Sequence, residues 1–425
     1  MIYRFIKNNH AGNHYYVIPE VSAEGLLAFS SRKKTKSRRI ESIDLLRGIV
    51  MIIMALDHVR DYFHNRAFLY NPEDLNHTNI ILFFTRWITH FCAPLFVFLS
   101  GISANLAGTR RSKKQLSLFL VQRGFWLIAV DFAVISFAIT LDPFYQLYIF
   151  QIIGAIGAGM ILLGLFTWLP LSIIAAIGTL LFFGHDILTY ISLPSTGASG
   201  FLWKFLFTAV ALFYKINDAH SLLVLYTVLP WTGVLFCGYV AGQVYHSSFD
   251  AAKRRKILFT SGILLVLLFI ILRTLNQYGD PSPWSAQRTK ALSVISFFNV
   301  SKYPPSLMFL CMTIGPGLIF LSAVEKVNNP FTRLLTVYGN VPFFYFVLHL
   351  FLLRFLNLIL FYVQGYGTKN IVTPNSIMLF RPSEFGVNLW GVYLIWLLVI
   401  AIMYLPCRWF SMYKKTHHQW WLSYL

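Results

Sequence analysis

Apolar stretches of about 20 residues, separated by short polar segments, recur along most of the chain. A helix needs about 20 mostly apolar residues to cross the hydrocarbon core of a bilayer, and a search with windows of about 19 residues predicts ten of them. The predicted helices are 43–63, 80–106, 116–140, 147–168, 171–189, 222–245, 257–275, 306–324, 334–363 and 389–410. The pattern predicts an all-α fold, a polytopic integral membrane helix bundle.

Basic residues form clusters between these apolar stretches. The densest clusters precede helix one at 32–39, separate helices two and three at 110–114, and separate helices six and seven at 253–256. Because Lys and Arg are enriched in cytoplasmic loops, both termini are predicted to be cytoplasmic. The predicted domains are a basic tail at 1–40, a membrane domain at 41–410 and a second tail at 411–425.

The composition is typical of a membrane protein, and the positions of the basic residues explain the positive net charge. The chain is 57% apolar and only 12% charged, whereas a soluble domain carries about 25% charged residues. Its net charge of +19 would suggest a nucleic-acid partner in a soluble protein. Since the basic residues lie between apolar stretches, topology accounts for them, and no nucleic-acid partner is predicted.

The opposite side of the predicted bundle carries the longer loops, at 64–79, 190–221, 276–305 and 364–388. Binding and catalytic residues are often found on such loops, so substrate handling is expected on this side. The apolar segment 201–214 is too short to span a bilayer and is predicted to be an interfacial or re-entrant helix.

Helix one carries ionisable residues that are rare inside membranes unless they are paired, hydrated or functional. Arg47 and His58 are 11 residues apart, which places them on one helix face about 16 Å apart along the axis. Asp61, at i+3 from His58, is the same-helix candidate to orient the imidazole. Asp57 points elsewhere, where Arg60 can neutralise it or where it can pair with Arg86 or His90.

A histidine beside a carboxylate is a common proton acceptor, and a buried arginine suits an anion such as phosphate. His58, Asp57 and Asp61 are therefore candidate catalytic residues, and Arg47 is a candidate donor-binding residue. The alternative is that Arg47 only pairs with Asp44, while His58 bonds a backbone carbonyl of a neighbouring helix.

Further candidates lie in later segments. Arg86 and His90, one turn apart, face either His58 or the phosphates of a donor, or instead form a salt bridge with Asp57. Lys302 and Tyr303, before a Pro pair, are candidate donor-binding residues or only a helix cap. Two further residues are candidates for substrate binding: Trp231 and His349. No metal-binding motif is present in the sequence, and no metal site is predicted.

Several motifs resemble one family of membrane proteins. The sequences that carry the resemblance are Asp44-Leu-Leu-Arg47-Gly, Leu56-Asp57-His58-Val-Arg60-Asp61, Phe84-Thr85-Arg86-Trp87, Pro230-Trp231-Thr-Gly233, Lys302-Tyr303-Pro304-Pro305 and Tyr338-Gly339-Asn340-Val341-Pro342. They are similar to bacterial membrane proteins related to the catalytic domain of heparan-α-glucosaminide N-acetyltransferase. The spacing from Arg47 to His58 also resembles the first helix of the wider superfamily of transmembrane acyltransferases.

The resemblance implies an enzyme of the bacterial inner membrane, with His58 as a catalytic residue. It implies that acetyl-CoA enters from the cytoplasm and that the acyl group passes to an amine or hydroxyl of a glycan or similar acceptor at the other face. The expected partners are acyl-CoA, the acceptor, the lipid bilayer and a second copy in a homodimer. The alternatives are a proton-coupled secondary transporter that uses the buried His and Asp residues, and a non-enzymatic scaffold.

Overall fold

The computed structural model describes residues 40–67, 69–191, 196–208, 211–372, 377–417 and 419–423. The chain divides after Ile40, and every element below belongs to the unit Glu41–Leu425. Its helices are α1 Glu41–Phe63, α2 Ile80–Gly108, α3 Lys113–Thr140, α4 Ile152–Phe166, α5 Leu171–Leu188, α6 Gly197–Trp203, α7 Val228–Ala241, α8 Ala251–Leu275, α9 Lys290–Phe298, α10 Leu307–Ala323, α11 Pro330–Gly339, α12 Pro342–Val363 and α13 Leu389–Thr416. The strands are β1 Leu147–Phe150, β2 Leu212–Lys215 and β3 Ser221–Val224.

Six of the described helices are long and apolar enough to cross a membrane: α2, α3, α5, α8, α12 and α13. The remaining four predicted spans also contain helices, α1, α4, α7 and α10. Those four do not meet the same criterion, because α1 carries several charges and the others are shorter. The protein is therefore a helical integral membrane protein, while the count of ten spans and their orientation stay predictions.

The four long loops predicted to share one side lie together in the structure. The Asn299 side chain donates to the Glu73 carbonyl at 2.9 Å, and the Tyr190 hydroxyl donates to the Gln277 carbonyl at 3.0 Å. Asn65 donates its backbone N–H to the Val387 carbonyl at 3.0 Å. We call this side of the bundle, formed by the described residues within 64–79, 190–221, 276–305 and 364–388, the loop end.

Two predicted helices begin as strands, so the all-α prediction is wrong there. The segments predicted as 147–168 and 222–245 start with β1 and β3, which pair in parallel with Leu147 opposite Ser221. β2 pairs antiparallel with β3 on its other side. Apolar runs of this length do not distinguish a strand followed by a helix from one long helix. The predicted interfacial helix 201–214 is helical through Thr208, and its last three residues, from Leu212, belong to β2.

The predicted helix 334–363 is two helices in the structure. It breaks before Pro342, which begins α12 because proline has no N–H to donate and suits the first helical position. The preceding piece, α11, starts earlier than predicted, at Pro330. The last helix, α13, continues to Thr416, past the predicted domain limit at residue 410.

The helix with the candidate residues, α1, packs against α2, α11, α12 and α13. Glycine allows the closest of these contacts: a Cβ on Gly48 would collide with the Leu335 carbonyl oxygen of α11, and one on Gly339 with the Asp44 carbonyl oxygen of α1. Small residues at such crossings let membrane helices approach closely. The central position of α1 brings its polar side chains against α2 and α12.

Candidate active site

The imidazoles of His58 and His349 meet between α1 and α12. The Nδ1 atom of His58 lies 2.7 Å from Nε2 of His349, and the rings are nearly parallel, with centroids 5.0 Å apart. His349 is fully buried, whereas His58 is partly exposed. The two residues are 291 positions apart in sequence, so no local pattern indicated this pair.

The hydrogen bonds assign the protons of both rings. The Nδ1 atom of His349 lies 3.0 Å from the Tyr345 carbonyl oxygen, which only accepts, so this nitrogen carries hydrogen. In a neutral ring the Nε2 atom of His349 is then an acceptor, and Nδ1 of His58 donates to it. The arrangement leaves the lone pair of His58 on Nε2, which has no hydrogen-bond partner among the described residues.

Beside this pair, five charged side chains form what we call the ion cluster: Asp57, Arg60, Asp61, Glu73 and Arg86. Arg86 donates to both carboxylate oxygens of Asp57 at 2.6 Å and to Glu73 at 3.1 Å. Arg60 bridges Asp57 at 3.0 Å and Asp61 at 2.6 Å. Charged hydrogen bonds of this kind are among the stronger polar interactions in proteins.

The ion cluster decides between several sequence expectations. The predicted neutralisation of Asp57 by Arg60 is confirmed, and Arg86 makes the interhelical salt bridge with Asp57 that the sequence left as an alternative. The expectation that Asp61 orients the imidazole of His58 is wrong. Its carboxylate accepts from Arg60, and His349 provides the partner of that ring.

Glu73 was missed by the sequence analysis, because it lies in a polar loop with no spacing relation to α1 or α2. It accepts from Nε2 of His90 at 2.9 Å, so His90 faces the loop end rather than His58. Burial alone would raise the pKa of Glu73, but the hydrogen bond from His90 and the charge of Arg86 hold that pKa well below its usual range. Glu73 is therefore a carboxylate that fixes the residues around it.

Lys302 and Tyr303 lie at the loop end, just before α10. The Tyr303 hydroxyl is 3.3 Å from that of Tyr226, and the ring of Tyr226 packs against Trp231 at 5.4 Å. Trp231 is only 1% exposed, so it lies behind Tyr226. Its predicted contact with substrate remains a prediction.

Arg47 lies toward the opposite end of α1. Its guanidinium pairs with Asp44 at 3.2 Å, which is the alternative that the sequence left open for it. It also donates to the Leu99 carbonyl at 3.2 Å and bonds the Ser103 hydroxyl of α2. Arg47 is partly exposed, so these contacts orient its guanidinium without enclosing it.

Two cavities open at the loop end beside the ion cluster. One, of about 220 Å³, is lined by Arg60, His64, Arg66 and His77 among others. The other, of about 370 Å³, is lined by Arg60, Asp61 and Arg86 among others. Both cavities are lined by charged side chains of the ion cluster, and His58 is not among the residues that line either of them.

His64, at the end of α1, gives a prediction about pH. Burial, followed by the charges of Arg60, Arg66 and Arg381, lowers the pKa of His64 from 6.5 to about 4. Between these values the unfolded chain binds a proton that the folded chain does not, so the folded state loses stability as the pH falls. We expect His64→Gln to remove up to about 1.4 kcal/mol per pH unit of this dependence.

Thermal unfolding of the detergent-solubilised protein between pH 6.5 and 4 measures this effect. The melting temperature of the unmodified protein should fall more steeply than that of His64→Gln. Equal slopes for the two proteins would show that His64 does not titrate in this window.

Comparison with known proteins finds one matching family. Residues 39–278 match the family model of the heparan-alpha-glucosaminide N-acetyltransferase catalytic domain. The match covers more than half of the chain, from α1 through α8, and includes His58, the ion cluster and Trp231. None of the curated proteins compared with the chain matches it.

Proposed function

Because the chain belongs to the heparan-α-glucosaminide N-acetyltransferase family, we propose that it transfers an acetyl group from acetyl-CoA to an acceptor amine or hydroxyl. The family makes it an acetyltransferase-like enzyme, and its apolar helices make it an integral membrane protein. The glycan acceptor, the acyl-CoA donor, the bacterial inner membrane and the homodimer are parts of the proposal.

The observation that carries the proposal is that His58 Nε2 has no hydrogen-bond partner among the described residues. His349 holds the opposite nitrogen of the same ring at 2.7 Å, so the ring is fixed with its basic atom available. Acyl transfer to an amine or hydroxyl needs a proton acceptor in this state. The partial exposure of His58 allows an acceptor to approach it.

In the proposed reaction the acceptor attacks the thioester carbon while its proton moves to His58 Nε2. The carbon–sulfur bond then breaks, and the leaving thiolate takes the proton back from the imidazolium. The reaction therefore forms one amide or ester and one free thiol, and His58 returns to its starting state. When its ring is charged, His349 Nε2 accepts the hydrogen bond from Nδ1 and stabilises it.

Direct attack is preferred to a covalent acyl-enzyme. Four cysteines are present and none forms a disulfide. Cys92 lies near Asp57 and Arg86, and its thiol donates to the Val50 carbonyl at 3.5 Å rather than to a base. A nucleophilic thiol needs an adjacent base or a lowered pKa. An acyl-histidine adduct at His58, detected by mass spectrometry, would overturn this choice.

We assign the donor phosphates to Arg47, because its guanidinium is partly exposed and lies toward the end of α1 that is opposite the loop end. Arg86 and His90, which the sequence also nominated, are engaged with Asp57 and Glu73 and are more deeply buried than Arg47. These two residues shape the site and need not touch the donor. Proton transfer and phosphate binding are then separated along one face of α1, as its spacing predicts.

Release of free coenzyme A tests the proposed function. Purified protein in detergent is incubated with acetyl-CoA and methyl α-D-glucosaminide, which offers one amine and several hydroxyls, and the free thiol is measured. We expect release that depends on the amino sugar, together with an acetylated product by mass spectrometry. Proton-coupled uptake of the sugar into liposomes without any thiol release would favour the transporter instead.

A further inference from the structure

Among the described residues, Lys302 is a buried cation that has an aromatic ring beside it but no hydrogen-bond or ion-pair partner. The residue is only 6% exposed, and its ammonium lies 5.2 Å from the ring centre of Tyr303. Among the described residues it has neither a hydrogen-bond acceptor nor a carboxylate within ion-pair distance. Burying a charge costs free energy unless other interactions compensate for it, so a position with unused N–H groups requires an explanation.

Lys302 lies near the ion cluster, because the Asn299 side chain of the same loop donates to the Glu73 carbonyl at 2.9 Å. It is close enough to His58, Asp57 and His90 to act on all three electrostatically. It also supplies the charge that the ion cluster lacks, since three carboxylates face two guanidiniums there. The negative charge of the ion cluster therefore attracts Lys302, but no described carboxylate of the cluster lies within ion-pair distance of its ammonium.

The loop that carries Lys302 is held rigidly on both sides. The carboxylate of Asp280 accepts from the Ser301 N–H at 2.8 Å and from the Ser306 hydroxyl at 2.6 Å. The backbone N–H of Leu307 donates to Asp186 at 2.7 Å. On the near side, Ser306 also donates its N–H to the Ser301 carbonyl at 3.0 Å.

A second clamp holds the proline pair. His185 Nε2 donates to the Pro305 carbonyl at 2.6 Å. These contacts fix the backbone on either side of Lys302, while burial and the Tyr303 ring limit the positions open to its side chain. A charge held in place before the reaction is the arrangement that stabilises developing charge most effectively.

We propose that the Lys302 ammonium stabilises the oxyanion formed during acyl transfer, and is therefore a catalytic residue of the site. The inference rests on the proposed function. As the acceptor attacks the thioester carbon, the carbonyl π electrons move onto oxygen and the acceptor proton moves to His58. When the carbon–sulfur bond breaks, the same electron pair re-forms the carbonyl. Lys302 donates a hydrogen bond to that oxygen throughout and keeps its own proton.

The phosphates of the donor are a second source of negative charge that an ammonium could bind. The sequence analysis named Lys302 as a candidate to bind them. The two roles differ in what a truncated donor reveals. S-acetylpantetheine has the same thioester as acetyl-CoA but no phosphate. An oxyanion partner acts on both donors, whereas a phosphate partner acts on acetyl-CoA alone.

The test is the kinetics of Lys302→Met with both donors and methyl α-D-glucosaminide as acceptor. We expect kcat to fall by about 10²–10³-fold with each donor and KM to change little, as for loss of one oxyanion-hole donor. Lys302→Arg keeps the charge and should recover part of kcat. Lys290→Met, at an exposed lysine that begins α9, is the matched control and should leave the rate unchanged.

Each other outcome has a defined meaning. A raised KM for acetyl-CoA with unchanged kinetics for S-acetylpantetheine would make Lys302 a phosphate ligand and overturn the proposal. Unchanged kcat with both donors would also overturn it, while leaving the proposed function intact. Absence of thiol release by the unmodified protein would remove the proposed function itself. If Lys302→Met does not fold, Lys302→Gln replaces it, and melting temperature verifies folding.

Discussion

Replacing His58 by glutamine is expected to lower kcat for acetyl transfer by about 10²–10⁴-fold, the usual contribution of a positioned general base. Glutamine retains polarity and approximate size at this position but cannot take a proton from the acceptor. KM for acetyl-CoA should change little, since the donor phosphates are assigned to Arg47, on a distant part of α1. Initial rates of thiol release at saturating acceptor measure the effect.

The matched control is His417→Gln, which makes the same substitution at an exposed histidine just after α13. It should leave kcat unchanged. Equal activity of His58→Gln and the control would remove His58 from the chemistry, and the membrane fold would then be the remaining finding.

His349 allows a sharper version of the same experiment, because its Nε2 atom only has to accept a hydrogen bond. In His349→Gln the side-chain oxygen can accept from His58 Nδ1, whereas His349→Met removes the acceptor. We expect the glutamine variant to keep more activity than the methionine variant. The difference should appear in kcat and in the pH profile of kcat, not in KM. A purely structural role would instead lower both variants through stability.

The elements of the site on α1 follow from local sequence. A helix of 3.6 residues per turn places Arg47 and His58 on one face and brings Arg60 beside Asp57. Charges inside an apolar segment are costly, so their presence there marks the segment as functional or paired. The family resemblance at these motifs is confirmed by the match over residues 39–278.

Contacts between distant segments did not follow from the sequence. The acceptor for His58 is on α12, and the carboxylate for His90 is in a loop, because these pairings depend on how helices pack and not on spacing within one helix. Asp61 illustrates the error: it is correctly spaced for His58, yet Arg60 competes for it at 2.6 Å. An arginine next to a carboxylate is a stronger partner than a neutral imidazole.

The sequence analysis missed the strands for a related reason. β1 and β3 are apolar and continuous with the helices that follow them, so hydropathy alone extends each helix backward. The start of α4 is fixed by a carboxylate that is distant in sequence. Asp131 of α3 accepts from the Gln151 and Gly154 N–H groups at 2.8 and 3.1 Å. Asp131 is a carboxylate within the predicted span 116–140, and the structure shows that it caps a helix.

Asp57→Asn is expected to destabilise the protein by about 3–5 kcal/mol, the cost of removing one partner from a buried ion pair. Asp57 accepts from Arg86 at 2.6 Å and from Arg60 at 3.0 Å, so its loss leaves two buried guanidiniums with one carboxylate contact fewer each. Denaturation of the detergent-solubilised protein measures the change. Asp218→Asn, in the exposed pair with Lys215, is the control and should have little effect.

The double variant Asp57→Asn with Arg86→Gln separates two contributions to the loss of stability. One is the lost Asp57–Arg86 interaction, and the other is the burial of a charge that has lost its partner. It removes one negative and one positive charge from the ion cluster, leaving Arg60 with Asp61 and Glu73 with His90. It should therefore be less destabilised than the sum of the single variants, with a coupling above about 1 kcal/mol. Additive effects would mean that the two side chains act independently. In that case, contact between α1 and α2 at the loop end would depend on apolar packing instead of this salt bridge.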